Sequence, residues 1–189
     1  MGRVSQAQAE ENRRRVVDTA SRLFREQGTQ VSVADLMKAA GLTHGAFYKQ
    51  FASKEALVDE ATAHAFDELA RSHTAGLTRY EGQRGAAQRA LIDAYLSVDH
   101  RDDPADGCPI AALATDIARE GEDREARRVY TEGVADFADL LGGDDHDGIV
   151  RLCTLFGALV LSRATKGSPL SEEILAAAQA ALIRGTAVE

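Results

Sequence analysis

Apolar residues recur along most of the chain at spacings of three and four, which is typical of one buried face of an α-helix. Residues 10–27 carry the first such stripe and predict a helix that ends at Gly28. Similar stripes predict further helices over residues 54–73, 86–98, 126–141 and 149–164. No run alternates with the period of a β-strand. The chain is therefore predicted to be all-α, with about nine helices.

Local start signals predict two more helices. Cys108-Pro109 opens one, because proline suits the first helical position. Ser171 is predicted to cap the last, with two glutamates in the first turn complementing the helix dipole. The acidic segments 100–107 and 142–148 contain glycine or proline and are predicted to be loops.

Residues 32–51 predict two short helices joined by a tight turn. Ser32 is a favourable N-cap, and Asp35 can complete a capping box. Gly41 can adopt the left-handed conformation that ends the first helix, and Thr43 can cap the second. Two short helices arranged in this way form a helix-turn-helix, which reads DNA.

The second of these helices is predicted to bury Phe47 and Phe51 and to expose its polar residues. A recognition helix presents its first residues to base edges, while nearby hydroxyl and ammonium groups contact phosphates. Tyr48 offers such a hydroxyl, and the lysines offer charge that favours affinity over specificity. The predicted DNA-binding residues are Ser32, Thr43, His44, Gly45, Tyr48, Lys49, Gln50 and Lys54.

Residues 12–60 resemble the DNA-binding domain of the TetR family of bacterial repressors. The resemblance rests on three motifs, which are Ala39-Ala40-Gly41-Leu42-Thr43, Phe47-Tyr48-x-x-Phe51 and Ser53-Lys54-Glu55-x-Leu57. Two departures are visible: Gln50 stands where the family most often has histidine, and Leu36-Met37 replaces the commoner Ile-Ala. Both departures keep size or polarity, so the fold should be retained while the preferred bases can differ.

This resemblance implies two domains and a mode of action. A three-helix domain over residues 1–54 would bind DNA, and a helical domain over residues 55–189 would bind a ligand and dimerise. The implied function is a homodimeric repressor, released from a pseudo-palindromic double-stranded operator by a small-molecule inducer that the sequence does not identify.

The charge distribution agrees with a DNA-facing N-terminus. The net charge is −8, yet residues 1–54 hold 9 Lys/Arg against 5 Asp/Glu, while residues 55–189 hold 13 against 25. The acidic remainder would be repelled by a duplex, so the N-terminal face should be oriented toward it.

The last two helices are apolar over more than one stripe. Each could bury one face in its own chain and another against a second copy, although burial all round within one chain is also compatible with the pattern. The family resemblance implies a four-helix dimer interface here. Its predicted residues are Leu152, Leu155, Phe156, Leu159, Leu175, Ala178 and Leu182.

A ligand pocket is implied by the resemblance, and the middle helices would line it. Plain core packing explains each candidate equally well, and the low aromatic content disfavours a dense aromatic cage. The candidates are Phe66, Leu91, Tyr95, Cys108, Ile110, Leu113, Tyr130, Phe137 and Phe156.

Cys108 offers an alternative signal. It lies in a segment resembling one found in a subset of TetR-like regulators, some of which sense oxidants or electrophiles through this cysteine. A helix N-terminus favours thiolate, whereas Asp102, Asp103 and Asp106 oppose it. Burial as a small apolar side chain is the commoner role. Cys153, within an apolar helix, is expected in the core.

Other classes have little support. The chain shows no membrane span and no signal peptide, so a cytoplasmic protein is expected. No cofactor, metal or catalytic residue is predicted: the acidic loop 144–147 lacks the spacing of a calcium loop, and His64, His73 and His100 have no partner cysteine or paired carboxylate at ligand spacing. An enzyme using His73 lacks a nucleophile, and a helical scaffold would not explain the polar residues gathered on one reading helix.

Overall fold

The computed structural model describes residues 6–80, 82–142 and 147–185. Within these ranges the chain forms nine α-helices and one 3-10 helix, without a strand, which confirms the all-α prediction. The 3-10 helix, His44–Lys49, lies between α2 and α3. The α-helices are α1 (Gln6–Gln27), α2 (Val33–Ala39), α3 (Lys54–Arg79), α4 (Arg84–Tyr95), α5 (Val98–Asp102), α6 (Pro109–Ile117), α7 (Glu125–Gly142), α8 (Gly148–Ala164) and α9 (Pro169–Gly185).

The helix boundaries near the N-terminus follow from local capping. Gly28 and Gly41 both adopt left-handed backbone, with φ of 82° and 69°, and end α1 and α2 as predicted. The Ser32 hydroxyl accepts the Asp35 N–H at 3.1 Å and caps α2. Ser53 does the same for α3 by accepting the Ala56 N–H at 3.2 Å.

One hydrophobic core holds the N-terminal helices together and continues past them. α1, α2 and the 3-10 helix supply its first members, all with 3% exposure or less: Val16, Ala20, Phe24, Leu36, Met37, Ala40, Phe47 and Phe51. The other helices complete it with Leu57, Val58 and Ala61 from α3, Leu113 and Ile117 from α6, and Ala126 from α7. The core therefore crosses residue 54, where the domain boundary was predicted.

A second core occupies the remainder of the chain. It lies among α3, α4, α7, α8 and α9, and α8 packs between α7 and α9. Among the described residues, no helix has the length and apolar character to cross a membrane. The two cores meet along α3 and α6, so α3 links the two parts of the chain.

Three local predictions were wrong. Segment 100–107 was predicted as loop, but α5 ends within it, because Ser97 caps that helix by accepting the His100 N–H at 3.1 Å. Thr43 does not cap the next element through its side chain, and that element is a 3-10 helix. Ser171 does not cap α9, since Pro169 starts the helix two residues earlier.

Ser171 instead lies fully buried between helices. Its hydroxyl donates to the Ser162 carbonyl at 2.7 Å and accepts from Arg101 at 2.9 Å. The start of α9 is served by Ser168, whose hydroxyl accepts the Leu170 N–H at 3.3 Å.

Candidate nucleic-acid interface

The 3-10 helix presents one buried and one open side. Phe47 is completely buried, whereas Tyr48 is 65% exposed. His44 stands beside Tyr48, with ring centroids 5.8 Å apart in an edge-on arrangement. Gly45 and Lys49 are exposed, and a Cβ at Gly45 would meet open space. This open side, defined by His44, Gly45, Tyr48 and Lys49, is called the reading face below, and its small and polar residues suit a DNA groove.

The other predicted DNA-binding residues differ in their exposure and in their hydrogen bonds within the chain. Thr43 is exposed. The Ser32 hydroxyl is engaged within α2, since it also donates to the Asp35 carboxylate at 2.6 Å. Gln50 and Lys54 are half-buried. All eight residues thus lie on or next to α2, the 3-10 helix and the start of α3, and the Ser32 hydroxyl is already hydrogen-bonded within α2.

Arg13 of α1 contacts residues that follow the 3-10 helix and thereby supports the reading face. Its guanidinium donates to the Gln50 carbonyl and to the Glu60 carboxylate, and lies 4.4 Å from the centre of the Phe51 ring. Within the described part of the chain, Arg14 and Arg15 pair with Glu11 and Asn12 of α1. No sequence signal separates Arg13 from these neighbours, because its partners come from elements distant in sequence.

α1 is also tied to the start of α6. Arg25 is only 7% exposed, and its guanidinium donates to Glu68 at 2.9 Å and to the Gly107 carbonyl at 3.3 Å. Arg22 forms an ion pair with Asp106. At the other end of α6, Asp116 accepts the Thr29 N–H at 2.8 Å. A displacement of the segment before α6 would therefore strain these contacts and could shift α1, which supports the reading face.

A cavity of about 390 Å³ lies where α1, α3 and α4 meet the start of α6. Leu91, Tyr95 and Cys108, three of the nine predicted ligand residues, line it. Its polar lining was not predicted and consists of Arg25, Glu68, Ser72, His73, His100 and Asp106. A wider, more open groove of about 900 Å³ adjoins it along α3 and α4, and it shares Ser72, His73, Leu91 and Ala94.

The remaining six candidate ligand residues do not line these two spaces. Phe66, Ile110, Leu113 and Phe137 are buried in the cores. Tyr130 and Phe156 are half-buried, and the Tyr130 hydroxyl donates to the Ile110 carbonyl at 2.8 Å. These side chains fill space between helices, so the structure supports their alternative assignment as core residues.

His100 fixes the backbone where α6 begins. Its Nδ1 lies 2.6 Å from the Tyr95 carbonyl, which can only accept, so Nδ1 carries the proton. Nε2 then accepts the Cys108 N–H at 3.2 Å. Burial lowers the pKa of His100, which agrees with this neutral form.

A redox-sensing Cys108 would need to be accessible, but Cys108 is the buried cysteine and Cys153 is the exposed one. Cys108 is buried, and burial raises the pKa of its thiol despite its place at a helix N-terminus. Cys153 was expected in the core and is instead exposed. The expectation failed because α8 is apolar on more than one side and Cys153 lies on the outer one.

The outer sides of α8 and α9 form an exposed apolar surface. Five of the predicted interface residues do not belong to it, because Leu152, Leu155, Leu159, Leu175 and Leu182 pack within the chain's own core. Phe156 and Ala178 are half-buried against that core. The exposed surface, called the α8–α9 face below, consists of Ile149, Val150, Cys153, Val160, Leu161, Leu170, Ala176, Ala177, Ala180 and Ala181.

Possible metal ligands are brought together at one place in the described ranges. Asp18 of α1 meets His64 and Glu68 of α3, with their ligand atoms within 4.8 Å of one another. Loop 144–147, which the sequence predicts to be a solvated turn and not a cation site, lies outside the described residues except for Asp147.

A glycine-hinged pair of short helices, braced by α1 and exposing a small polar surface on a larger helical body, defines a helix-turn-helix DNA-binding protein. Comparison with known proteins agrees. Residues 16–61 match the family described as bacterial regulatory proteins, tetR family.

Two curated relatives match the N-terminal part of the chain. The HTH-type transcriptional regulator AcrR of Shigella flexneri is 41% identical over 61 residues, which is 32% of this chain and 28% of AcrR. The HTH-type transcriptional repressor KstR2 of Rhodococcus jostii is 30% identical over 88 residues, 46% of this chain and 43% of KstR2. The chain thus matches less than half the length of either relative.

Solved structures match the whole fold. Reduced NemR of Escherichia coli superposes with a TM-score of 0.76 at 20% identity, covering 92% of this chain and 96% of NemR. A TetR-family regulator from Cytophaga hutchinsonii superposes with a TM-score of 0.74 at 20% identity over 100% of both chains. Residues 16–61 are therefore similar to the DNA-binding part of the tetR family of bacterial regulatory proteins, and the whole chain shares the fold of these solved structures.

Proposed function

We propose that this chain is a homodimeric repressor that binds a pseudo-palindromic operator and is released by a small-molecule inducer. The observation that carries the proposal is the reading face, where His44, Gly45, Tyr48 and Lys49 are all exposed above a buried Phe47. In this proposal residues 1–54 read DNA, and residues 55–189 bind the inducer and dimerise.

Each chain carries one helix-turn-helix, so a two-fold operator needs two copies. The α8–α9 face supports this step, because Ile149, Val150 and Leu161 are each more than half exposed. Apolar surface of this kind is typical of a protein–protein contact. We therefore assign dimerisation to the outer sides of α8 and α9 and leave the inner leucines to the chain's own core.

The cavity beside Cys108 supports the inducer step. Its wall includes Arg25, Glu68 and Gly107, the same residues that link α1 to α3 and α6. A ligand that prefers a rearranged wall would shift the population toward a state in which α1 and α3 carry the reading face differently. Two recognition helices must lie about 34–36 Å apart to enter successive major grooves, so a shift of a few ångströms would weaken binding.

Selection of bound fragments from random or genomic DNA tests the proposal directly. We expect a half-site repeated with two-fold symmetry and two chains bound per site. The affinity for that site should fall by about 10³–10⁵ between roughly 50 and 200 mM salt, if 6–10 phosphates are contacted. Tight binding by one chain, an unsymmetrical site or a shallow salt dependence would contradict the proposal.

The inducer step has its own test. Candidate compounds suggested by the genes next to the selected operator are titrated into the protein–operator complex. Release should depend on the cavity, so Leu91→Trp, which fills it, should bind operator normally and respond less. A variant that responds as well as wild type would place the inducer elsewhere.

A further inference from the structure

A cluster of ligand-type side chains joins α1 to α3 about one turn of α3 beyond the Arg13–Glu60 ion pair. Asp18 projects from α1, while His64 and Glu68 lie one turn apart on α3. His64 Nε2 is 3.6 Å from Asp18 Oδ1 and 3.5 Å from Glu68 Oε1. One imidazole nitrogen thus faces two carboxylate oxygens at nearly equal distances.

The two nitrogen–oxygen distances are longer than hydrogen bonds and are close to the distance between two ligand atoms bound to one metal ion. An N–H···O hydrogen bond is about 2.9 Å long. Zn²⁺ takes imidazole nitrogen and carboxylate oxygen at about 2.0–2.2 Å, and two such ligands at a tetrahedral angle lie roughly 3.4 Å apart. The three side chains would leave the fourth position for water.

A second observation concerns the nitrogen itself. His64 Nε2 is shielded from solvent and has no hydrogen-bond partner among the described residues. A buried polar atom left unsatisfied is costly, and a bound ion is one way to satisfy it. Neutral imidazole is also the commonest metal ligand in proteins.

The surroundings orient the carboxylate as a metal site requires. The Oε2 atom of Glu68 accepts from the buried guanidinium of Arg25 at 2.9 Å, which leaves Oε1 facing His64. Hydrogen bonds from outside the ligand shell commonly hold a ligating carboxylate in this way. Arg25 lies against Glu68 and Arg22 interacts with Asp18, but Arg22 is also paired with Asp106, so the cluster stays a place where a divalent cation can bind.

We propose that Asp18, His64 and Glu68 bind a divalent transition-metal cation of the zinc class and thereby fasten α1 to α3. The proposal does not depend on the inducer or on repression. The ion would act beside the Arg25 link and favour the arrangement of the two helices seen here. No sequence pattern shows the site, because Asp18 comes from a different helix and only His64 and Glu68 share helical spacing.

Zinc titration of the full chain against a chromophoric competitor tests the site. The wild type should bind one equivalent of Zn²⁺. Asp18→Asn and His64→Gln should each lower the affinity at least about tenfold, since each removes one ligand of the ion. Asp67→Asn is the matched control, because this exposed neighbour on α3 has the same chemistry outside the cluster. His146→Gln controls for the acidic loop, and both controls should bind like the wild type.

A spectroscopic readout keeps the test independent of folding defects. Asp18 is 55% exposed, so Asp18→Asn should keep the thermal midpoint of the metal-free protein. Co²⁺ added to the wild type should give the visible absorption of a four-coordinate site, and this band should be lost in Asp18→Asn. Zinc affinity unchanged in both ligand variants, or lost in His146→Gln instead, would overturn the proposal, as would the absence of zinc binding by the wild type.

Discussion

The guanidinium of Arg13 lies over the ring of Phe51, 4.4 Å from its centre, while its nitrogens hold the Gln50 carbonyl and the Glu60 carboxylate. This arrangement joins α1, the end of the 3-10 helix and α3 through one side chain. Arg13 is therefore placed to set the angle of the reading face without contacting bases.

Arg13→Ala should destabilise the protein by about 1–3 kcal/mol, because it removes a cation–π contact and two charge-assisted hydrogen bonds. Operator affinity should fall for all sequences alike, with the preferred half-site unchanged. Urea unfolding and fragment selection measure the two effects. Arg14→Ala, which removes only an exposed pair with Glu11, is the control and should change stability by less than about 0.5 kcal/mol.

Residues on and beside the reading face should divide by what they contact. Tyr48→Phe and Lys54→Ala should weaken binding to every sequence similarly, since phosphates carry no base identity. His44→Ala and Lys49→Ala should also change the selected half-site. Each variant is compared with the wild type by selection from the same random library. An unchanged half-site in both the His44 and Lys49 variants would remove these residues from base readout.

Leu161→Glu should prevent the proposed dimer from forming and abolish tight operator binding. Leu161 is 55% exposed on α8, so a charge there costs little in the isolated chain but would be buried without a partner in a dimer. Light scattering measures the mass of each variant. Tyr48→Glu, which places the same charge on a similarly exposed residue of the reading face, should remain dimeric; a dimeric Leu161→Glu would move the interface away from this part of the α8–α9 face.

Stability should fall as the pH drops below neutrality, partly through His73. Its ring stacks on Phe137 with centroids 4.6 Å apart, and burial lowers its pKa to about 4. An unfolded histidine has a pKa near 6.5, so the unfolded chain takes up this proton first as the pH falls. The stabilisation is therefore complete above about pH 6.5 and is lost progressively toward pH 4.

His73→Gln should remove part of this pH dependence. Between pH 7 and 5, its free energy of unfolding should fall by about 1–2 kcal/mol less than that of the wild type. Burial also lowers the pKa of His100, so some histidine-dependent loss should remain. Urea titrations at several pH values supply the comparison, and parallel curves for the two proteins would show that His73 does not carry the effect.

Cys153 should be more reactive than Cys108 toward thiol reagents, whereas a redox switch at Cys108 would require the reverse order. Cys153 is exposed in the single chain but lies on the proposed dimer face, so it should react fast with a disulfide reagent in monomeric Leu161→Glu. Cys108 should react only slowly in the native protein, because burial raises its pKa. Mild oxidant should leave operator binding intact. Release of operator by oxidant from the wild type and Cys153→Ser, but not from a normally binding Cys108→Ser, would instead support the cysteine-based alternative.

Short-range signals account for what the sequence predicted well. Ser32, Gly28 and Gly41 act through bonds within a few residues, and their roles are readable from neighbours alone. Apolar spacing likewise located the long helices. The start of α9 was misplaced because Ser168-Pro169 and Ser171 both resemble a helix start, and only the buried contacts of Ser171 with Ser162 and Arg101 distinguish them.

Roles set by tertiary contacts were not predictable. α8 is apolar on several sides, so spacing alone could not show that Leu155 faces inward while Leu161 faces outward. Arg13 and Arg25 are distinguished from neighbouring arginines only by partners from other helices. The cavity wall was missed for the same reason, since its polar residues come from α1, α3 and the segment before α6.

Leu113 and Ile117 of α6 lie in the same core as Phe24 and Met37. The N-terminal helices are therefore buried partly by side chains from α6. A fragment ending at residue 54 would lack the members of this core that α3, α6 and α7 supply and would leave part of its apolar surface uncovered. Folding of the reading face is therefore cooperative with that of the body behind it. A sequence change that loosens α6 against α1 should therefore lower the stability of the fold and the proposed affinity for DNA together.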